Sequence, residues 1–299
     1  MGVKYHYVET GPKTGDVVLV LGDAPDAASL WVPSWSSVVR RLAENGYHVI
    51  TLDLRGTGGS EGGYRSDLAP PKAVEELSAL LMALDVSANN PAIVIGFGIG
   101  GMLAWYLAHS RGPLIRKLAI IDSPHPNLYW QYPPARFCHR ALHFIQWPYL
   151  PERWLAEGAL HDDNGSNSNS SRARDWNGAL NYVRGAAWWR VERSHLVEAP
   201  ALLLGGRSAA AQLVGSAQHC SRAALRLLAE PGPRDRELPA LLLDFLPAAP
   251  AEPAAGGGAG AGAGGGAGRG LVGRVLGAVA GRGRELTARL SLPALSAHA

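Results

Sequence analysis

The run Ile93-Val94-Ile95-Gly96-Phe97-Gly98-Ile99-Gly100-Gly101-Met102-Leu103-Ala104-Trp105 has the layout of a site for covalent chemistry. Its β-branched start reads as a short buried strand, which breaks into glycines before Met102, Leu103 and Ala104 open a helix-favouring stretch. A strand, a sharp turn and a helix in the frame G-x-nucleophile-x-G expose a nucleophile on a strained turn. The flanking glycines belong there because such a turn leaves little room for a Cβ. In Gly96-Phe97-Gly98-Ile99-Gly100 the nucleophile's place falls to Gly98, which has no side chain. The scaffold for nucleophilic hydrolysis is written out and its reacting atom is missing.

Other groups could act by type. Asp122 ends the strand after this turn and His125 follows three residues later, an acid and a base in one loop. A turn-forming Asp and a loop His are the favoured reading of that pair. Asp23 lies at the mouth of an earlier strand and could serve as a surrogate base, although beside Gly22 and Pro25 it also suits a turn. Asp53-Leu54-Arg55 reads as a scaffold ion pair and turn. Gly56-Thr57-Gly58-Gly59 lacks the lysine and the Ser or Thr of a phosphate loop. Ser60, Ser123 and Ser208 are nucleophiles by type alone. Cys138 and Cys220 form neither a disulfide framework nor a Cys/His ligand pattern, so no metal is expected and a reducing compartment is the simpler reading.

The elements that must position these groups follow in order. Val3–Glu9 alternates as an edge strand, and Val17–Leu21 is a buried strand closed by Gly22-Asp23-Ala24-Pro25. Ser29–Glu44 has helical spacing, His48–Leu52 is the next strand, and Val74–Leu84 is an amphipathic helix. The elbow strand and its helix follow, then Leu118–Ile121. Strands alternating with helices predict a mostly parallel sheet covered on both faces.

The bulk composition excludes some classes. With 47% apolar residues the 299-residue chain can bury a full core. Its net charge of +3 resides in the tail from Ala249, where five arginines face two glutamates, so the rest is neutral and no nucleic-acid partner is expected. The polar N-terminus predicts no signal peptide, no stretch of about 20 apolar residues predicts a transmembrane helix, and the expected location is cytoplasmic.

At this point a resemblance becomes specific. Tyr5-His6-Tyr7-Val8, Leu52-Asp53-Leu54-Arg55-Gly56-Thr57-Gly58-Gly59-Ser60, the elbow, Ser123-Pro124-His125-Pro126 and Trp147-Pro148-Tyr149-Leu150-Pro151-Glu152 resemble the epoxide hydrolase branch of the α/β hydrolases, its epoxide-hydrolase-4-like members above all. The resemblance resumes at Asn181-Tyr182-Val183-Arg184 and Pro200–Gly206 and fades after Leu246. It implies an α/β-hydrolase fold with a helical cap over the elbow. The implied domains are a core at 1–132, a reduced cap at 133–198 with the polar insert His161–Ser171, the rest of the core at 199–247, and a disordered Gly/Ala-rich tail at 248–299. Trp147, Trp154, Trp176, Trp188 and Trp189 would give the cap its apolar mass, as a cavity lining or a small helical core.

The resemblance also implies a covalent scheme using an elbow carboxylate, a histidine oriented by an acid, and cap tyrosines. Position by position, this chain departs from it. The nucleophile is Gly98, the acid position is Ala209, the histidine position falls near Pro233, and the cap tyrosine is Val183 with Tyr182 one residue early. The loop at Leu21-Gly22-Asp23-Ala24-Pro25 lacks its histidine. The expectation is an epoxide hydrolase-like protein without family-type catalysis and without a cofactor. It would be left with a pocket lined by Gly22, Asp23, Phe97, Ile99 and Tyr182 that binds a small apolar ligand. The alternatives are an active hydrolase using Asp23, Asp122 and His125, and a protein-interaction module using the basic tail.

Overall fold

The computed structural model describes residues 3–23, 33–132, 143–159, 173–228, 234–246 and 286–290. The alternation of strands and helices gives a single sheet. The strands are β1 (Val3–Thr10), β2 (Val17–Leu21), β3 (His48–Leu52), β4 (Ala92–Phe97), β5 (Ile115–Ile121), β6 (Ala201–Gly205), β7 (Ala223–Leu227) and β8 (Leu286–Leu290). Their spatial order is β7-β6-β5-β4-β2-β3-β1-β8. All neighbours from β7 to β3 pair in parallel, while β1 is antiparallel to both β3 and β8. A parallel sheet is buried on both faces, and β2 and β3 are accordingly buried at every position.

The period of two along each strand sorts the apolar side chains into two cores. Leu19, Leu21, Ile50, Leu52, Val94, Leu118, Ile120 and Leu203 belong to one. Helices α2 (Pro70–Ala83), α3 (Ile99–Ser110) and α5 (Ala173–Ala186) contribute Leu77, Leu81, Leu103, Trp105, Leu180 and Val183 to it. Val18, Val20, Val49, Ile93, Ile95, Ala119, Ile121, Leu202 and Leu204 form the other. There α1 (Pro33–Glu44) and α7 (Arg234–Phe245) pack together through Val38, Leu42, Leu238 and Leu242. Each such side chain taken out of water contributes about 1.5–3 kcal/mol. Helix α3 is buried from Ile99 to His109, apolar nearly all round, as a helix enclosed by sheet, α2 and α5 must be.

Several boundaries differ from the sequence reading. Helix α1 is described over Pro33–Glu44, and the expected start at Ser29 lies outside the described residues. Pro70 and Pro71 open α2, which extends it four residues upstream of Val74. The cap contains α4 (Leu150–Ala159) and α5, and the polar insert His161–Ser171 lies outside the described residues. Leu286–Leu290, expected in a disordered tail, pairs with β1 from Tyr7↔Leu286 to Val3↔Leu290. An edge strand offers a row of unpaired amides and carbonyls, and a second strand satisfies them. Helix α6 (Ala210–Ala217) and β7 complete the distal edge.

Asp53 and Arg55 both serve the scaffold, but not as a pair with each other. Asp53 Oδ2 sits 2.7 Å from His6 Nδ1 and accepts the Gly59 N–H at 3.0 Å. Arg55 Nη1 donates to Glu76 Oε1 at 2.6 Å, and Tyr5 Oη donates to Glu76 Oε2 at 2.7 Å. Burial pushes the Glu76 carboxyl upward, against the pull of Tyr5 and Arg55. Removing one member of such a buried set leaves a charge uncompensated. Glu76→Ala is expected to cost about 3–5 kcal/mol, read as a lowered urea midpoint.

Candidate functional site

The elbow is present in full backbone form. Gly98 has φ 55° and ψ −117°, a conformation open almost only to glycine, and its carbonyl accepts the Met102 N–H to start α3. Gly100 lies so close under β2 that a Cβ there would stand 2.2 Å from the Leu21 carbonyl oxygen. The strained turn is thus present with no side chain at its apex.

The space a side chain at Gly98 would fill is occupied. An ideal Cβ on Gly98 would lie 2.4 Å from Asp23 Cγ, 2.4 Å from Oδ1 and 2.7 Å from Oδ2. Asp23 Oδ1 accepts the Ile99 N–H at 3.0 Å. That amide follows the nucleophile position and opens α3, where N–H groups without intrahelical partners and the helix dipole favour an anion. The cause is the sheet register. β2 and β4 are neighbours with Leu21 opposite Gly96, so two residues further along each strand Asp23 and Gly98 emerge side by side. Gly22 is buried, and its carbonyl accepts the Gly100 N–H at 3.1 Å, fixing the same corner.

The remaining expected lining does not gather around this point. Phe97 is half-buried and packs toward the α1–α7 core, whereas Ile99 is buried in the opposite core with α3. Tyr182 is buried beside Glu76, Arg55 and Tyr5, and Val183 is buried on the same helix. The sequence could not separate Tyr182 from a pocket because α5 is apolar on the side facing the core. Ala209 closes a short turn after β6, and a Cβ on Gly205 would sit 3.2 Å from Ala209 Cβ and 3.4 Å from Asp122 Oδ1. Asp122 therefore brings a carboxylate close to Ala209 from the neighbouring strand, in a left-handed conformation with φ 50°. Pro233 lies outside the described residues.

His125 is turned into a different environment. It is fully buried, its N–H donates to Ser216 Oγ at 3.0 Å, and its Nδ1 accepts the Asn127 N–H at 3.2 Å. Its Nε2 is 2.8 Å from His109 Nε2. With Nδ1 accepting, the His125 proton belongs on Nε2 and is donated to His109, which leaves the His109 proton on Nδ1. Both His125 nitrogens are thereby committed, and the relocated acid/base pair of Asp122 and His125 does not form. His219 stacks on His125 at 3.7 Å between ring centroids, and His195 lies 5.8 Å from His109. The available signal was the spacing of Trp105 and His109, one helical turn apart on α3. What joins them to His195 and His219 is long-range packing.

A cleft of about 440 Å³ opens at the far end of α3 from the elbow. Val74 of α2, Tyr106 and His109 of α3, and Trp189, Arg190 and Val191 line it. Among the described residues no three His, Cys, Asp or Glu side chains converge as metal ligands. Burial raises the Cys220 thiol to about 12, so it does not act as a thiolate.

The chain is similar to known proteins. The sequence profile for the alpha/beta hydrolase fold matches residues 21–146. Epoxide hydrolase 3 of Xenopus tropicalis is 30% identical over 162 residues, covering 52% of this chain and 41% of that protein. Epoxide hydrolase 4 of Homo sapiens is 30% identical over 156 residues, covering 50% and 41%. The chain thus matches about two fifths of the length of these relatives. Among solved structures, epoxide hydrolase A of Mycobacterium thermoresistibile superposes with a TM-score of 0.64 at 19% identity, covering 82% of this chain and 95% of that one. Cfl2 of Burkholderia cenocepacia gives 0.66 at 17% identity, covering 81% and 92%.

The histidine cluster sets a pH dependence. Burial, then His219 and His109, lowers His125 to about 2, and burial, then His195 and His219, lowers His109 to about 4. Below the ordinary value of 6.5 the unfolded chain takes up protons that the folded one refuses, so stability present above that pH is lost on acidification. Each histidine should contribute a slope of about 1.4 kcal/mol per pH unit between about 6.5 and 4. Urea unfolding across that range should show it, and His109→Leu/His125→Leu should flatten it.

Proposed function

We propose that this chain, which has the α/β-hydrolase fold and is similar to epoxide hydrolases, does not turn over epoxides or esters. The observation that carries this is the Asp23 carboxylate standing in the Gly98 side-chain space and taking the Ile99 amide. A developing oxyanion needs that amide, and removing one such donor costs about 10²–10³ in rate. Here the donor is already engaged, the elbow supplies no nucleophile, and His125 is committed elsewhere. Loss of the nucleophile and base of a catalytic set together leaves at most the residual effect of binding.

A second reading has one specific observation in its favour. Asp23 places a half-buried carboxylate almost where an elbow carboxylate would stand. As a relocated nucleophile it would open an epoxide at carbon, forming a hydroxyalkyl ester. A purified-protein assay with styrene oxide and a nitrophenyl ester separates the two. We expect rates equal to buffer in the wild type and in Asp23→Asn. Turnover that survives purification and vanishes in Asp23→Asn would overturn the first reading and establish the second.

A cleft of about 440 Å³ lined by Val74, Tyr106 and Val191 is a candidate cavity for a small apolar ligand. Saturable binding of an apolar dye is expected there, weakened by Val191→Asp and unaffected by Phe97→Ala.

Asp23 and Gly98 also behave as a coupled pair. Gly98→Asp combines left-handed strain with displacement of the Asp23 carboxylate and should cost about 1–3 kcal/mol. Asp23→Gly in the same chain should recover part of that loss, as a double-mutant cycle in urea would measure.

A further inference from the structure

The tryptophans of the expected cap, read as a cavity lining or a small helical core, stand mostly outside the core. Trp176 is buried, but Trp147 is 59% exposed, Tyr149 84%, Leu150 55% and Trp154 63%. These four fall within eight residues at the start of α4. Phe144 joins them, its ring centroid 6.3 Å from Trp147 and 5.9 Å from Trp154. Scattered exposed apolar residues are ordinary on a protein surface, whereas a contiguous ridge of this kind marks an interaction site.

The ridge is held rigidly from beneath. Arg184 of α5 donates through Nη1 to Glu152 Oε1 at 2.6 Å, through Nε to the Ile145 carbonyl and through Nη2 to the Trp147 carbonyl. Tyr149 sits at φ 65°, a left-handed conformation that a bulky residue rarely adopts, with its ring turned to solvent.

The exposed charged groups along 143–155 and at Arg65 are cationic. Arg65 and Arg153 are exposed, and Arg65 Nη2 reaches Gln146 Oε1 at 3.3 Å and the Arg184 carbonyl at 3.2 Å. The only carboxylate within 143–155 is Glu152, which is buried on Arg184. Beside the ridge, Asp67 is folded back onto the Tyr64 N–H. Trp and Tyr rings with an apolar body and a polar tip suit the headgroup level of a bilayer, and flanking arginines suit anionic headgroups. No described helix is long and apolar enough to cross a membrane, so the contact would be peripheral.

We propose that the ridge Trp147-Tyr149-Leu150-Trp154, flanked by Arg65 and Arg153, docks this protein on an anionic lipid surface.

The test is flotation of the full chain with vesicles of phosphatidylcholine containing phosphatidylserine, beside vesicles of phosphatidylcholine alone. The wild type should float with the anionic vesicles, less so at high salt. Trp147→Ser/Trp154→Ser should lower the bound fraction by at least about tenfold, since each buried aromatic supplies at least that order of affinity. Arg65→Gln should lower it by about fivefold. Val214→Ser, an exposed apolar change on α6, should leave it unchanged, and far-ultraviolet circular dichroism should confirm that all variants fold. Three results would overturn the proposal: no flotation, equal flotation on neutral vesicles, or binding indifferent to the double variant. A dimer in solution that the double variant dissolves, without vesicle binding, would instead make the ridge a contact between copies of this chain.

Discussion

The parallel pairing of β2 with β4 decides what the elbow can be. Leu21 opposite Gly96 sends both strands out of the sheet at the same height, with Gly100 pressed against the Leu21 carbonyl beneath them. In that geometry the loop after β2 and the turn after β4 share one small volume. A side chain from either loop can fill it, but not one from both. Here Asp23 fills it, and Gly98 permits this because it has no Cβ. The helix amide at Ile99, which would otherwise lack a partner, is satisfied by the same carboxylate.

The elbow turn is strained although no side chain stands at its apex. Gly98 keeps dihedrals that a nucleophile would occupy only at a cost, and α3 still begins one residue later. The turn persists because the packing around it requires it. Helix α3 is enclosed by the sheet, α2 and α5, and any other exit from β4 would displace a helix buried along nearly its whole length. The scaffold is retained by packing, whereas the reactive groups are held by nothing but function.

Polar groups in the rest of the core follow the same economy of partners. Glu76 joins β1 to the loop after β3, Arg184 joins α5 to the chain entering α4, and His109 joins α3 to the loop after β5. Each spans elements distant in sequence. The histidines differ from the ion pairs because they are held neutral by burial, so it is their protonation, on acidification, that works against the fold.

The alternation of strands and helices, the glycine frame at 96–100 and the missing side chain at Gly98 were legible in the sequence, because periodicity and the absence of a Cβ are local properties. That Gly98 brings no reacting atom to the elbow followed from residue identity alone. Where side chains point was not legible. Asp23 was one candidate among several until the strand register set it against Gly98. Tyr182 and Ile99 looked like pocket lining and proved to be core, because an apolar residue reads the same facing a cavity or a sheet. His125 looked available until His109, His219 and Asn127 were found to surround it. The tryptophans of the expected cap read as cavity lining or core and, Trp176 apart, came out exposed, since hydrophobicity states a preference and only the arrangement of neighbouring elements determines which apolar side chains find cover.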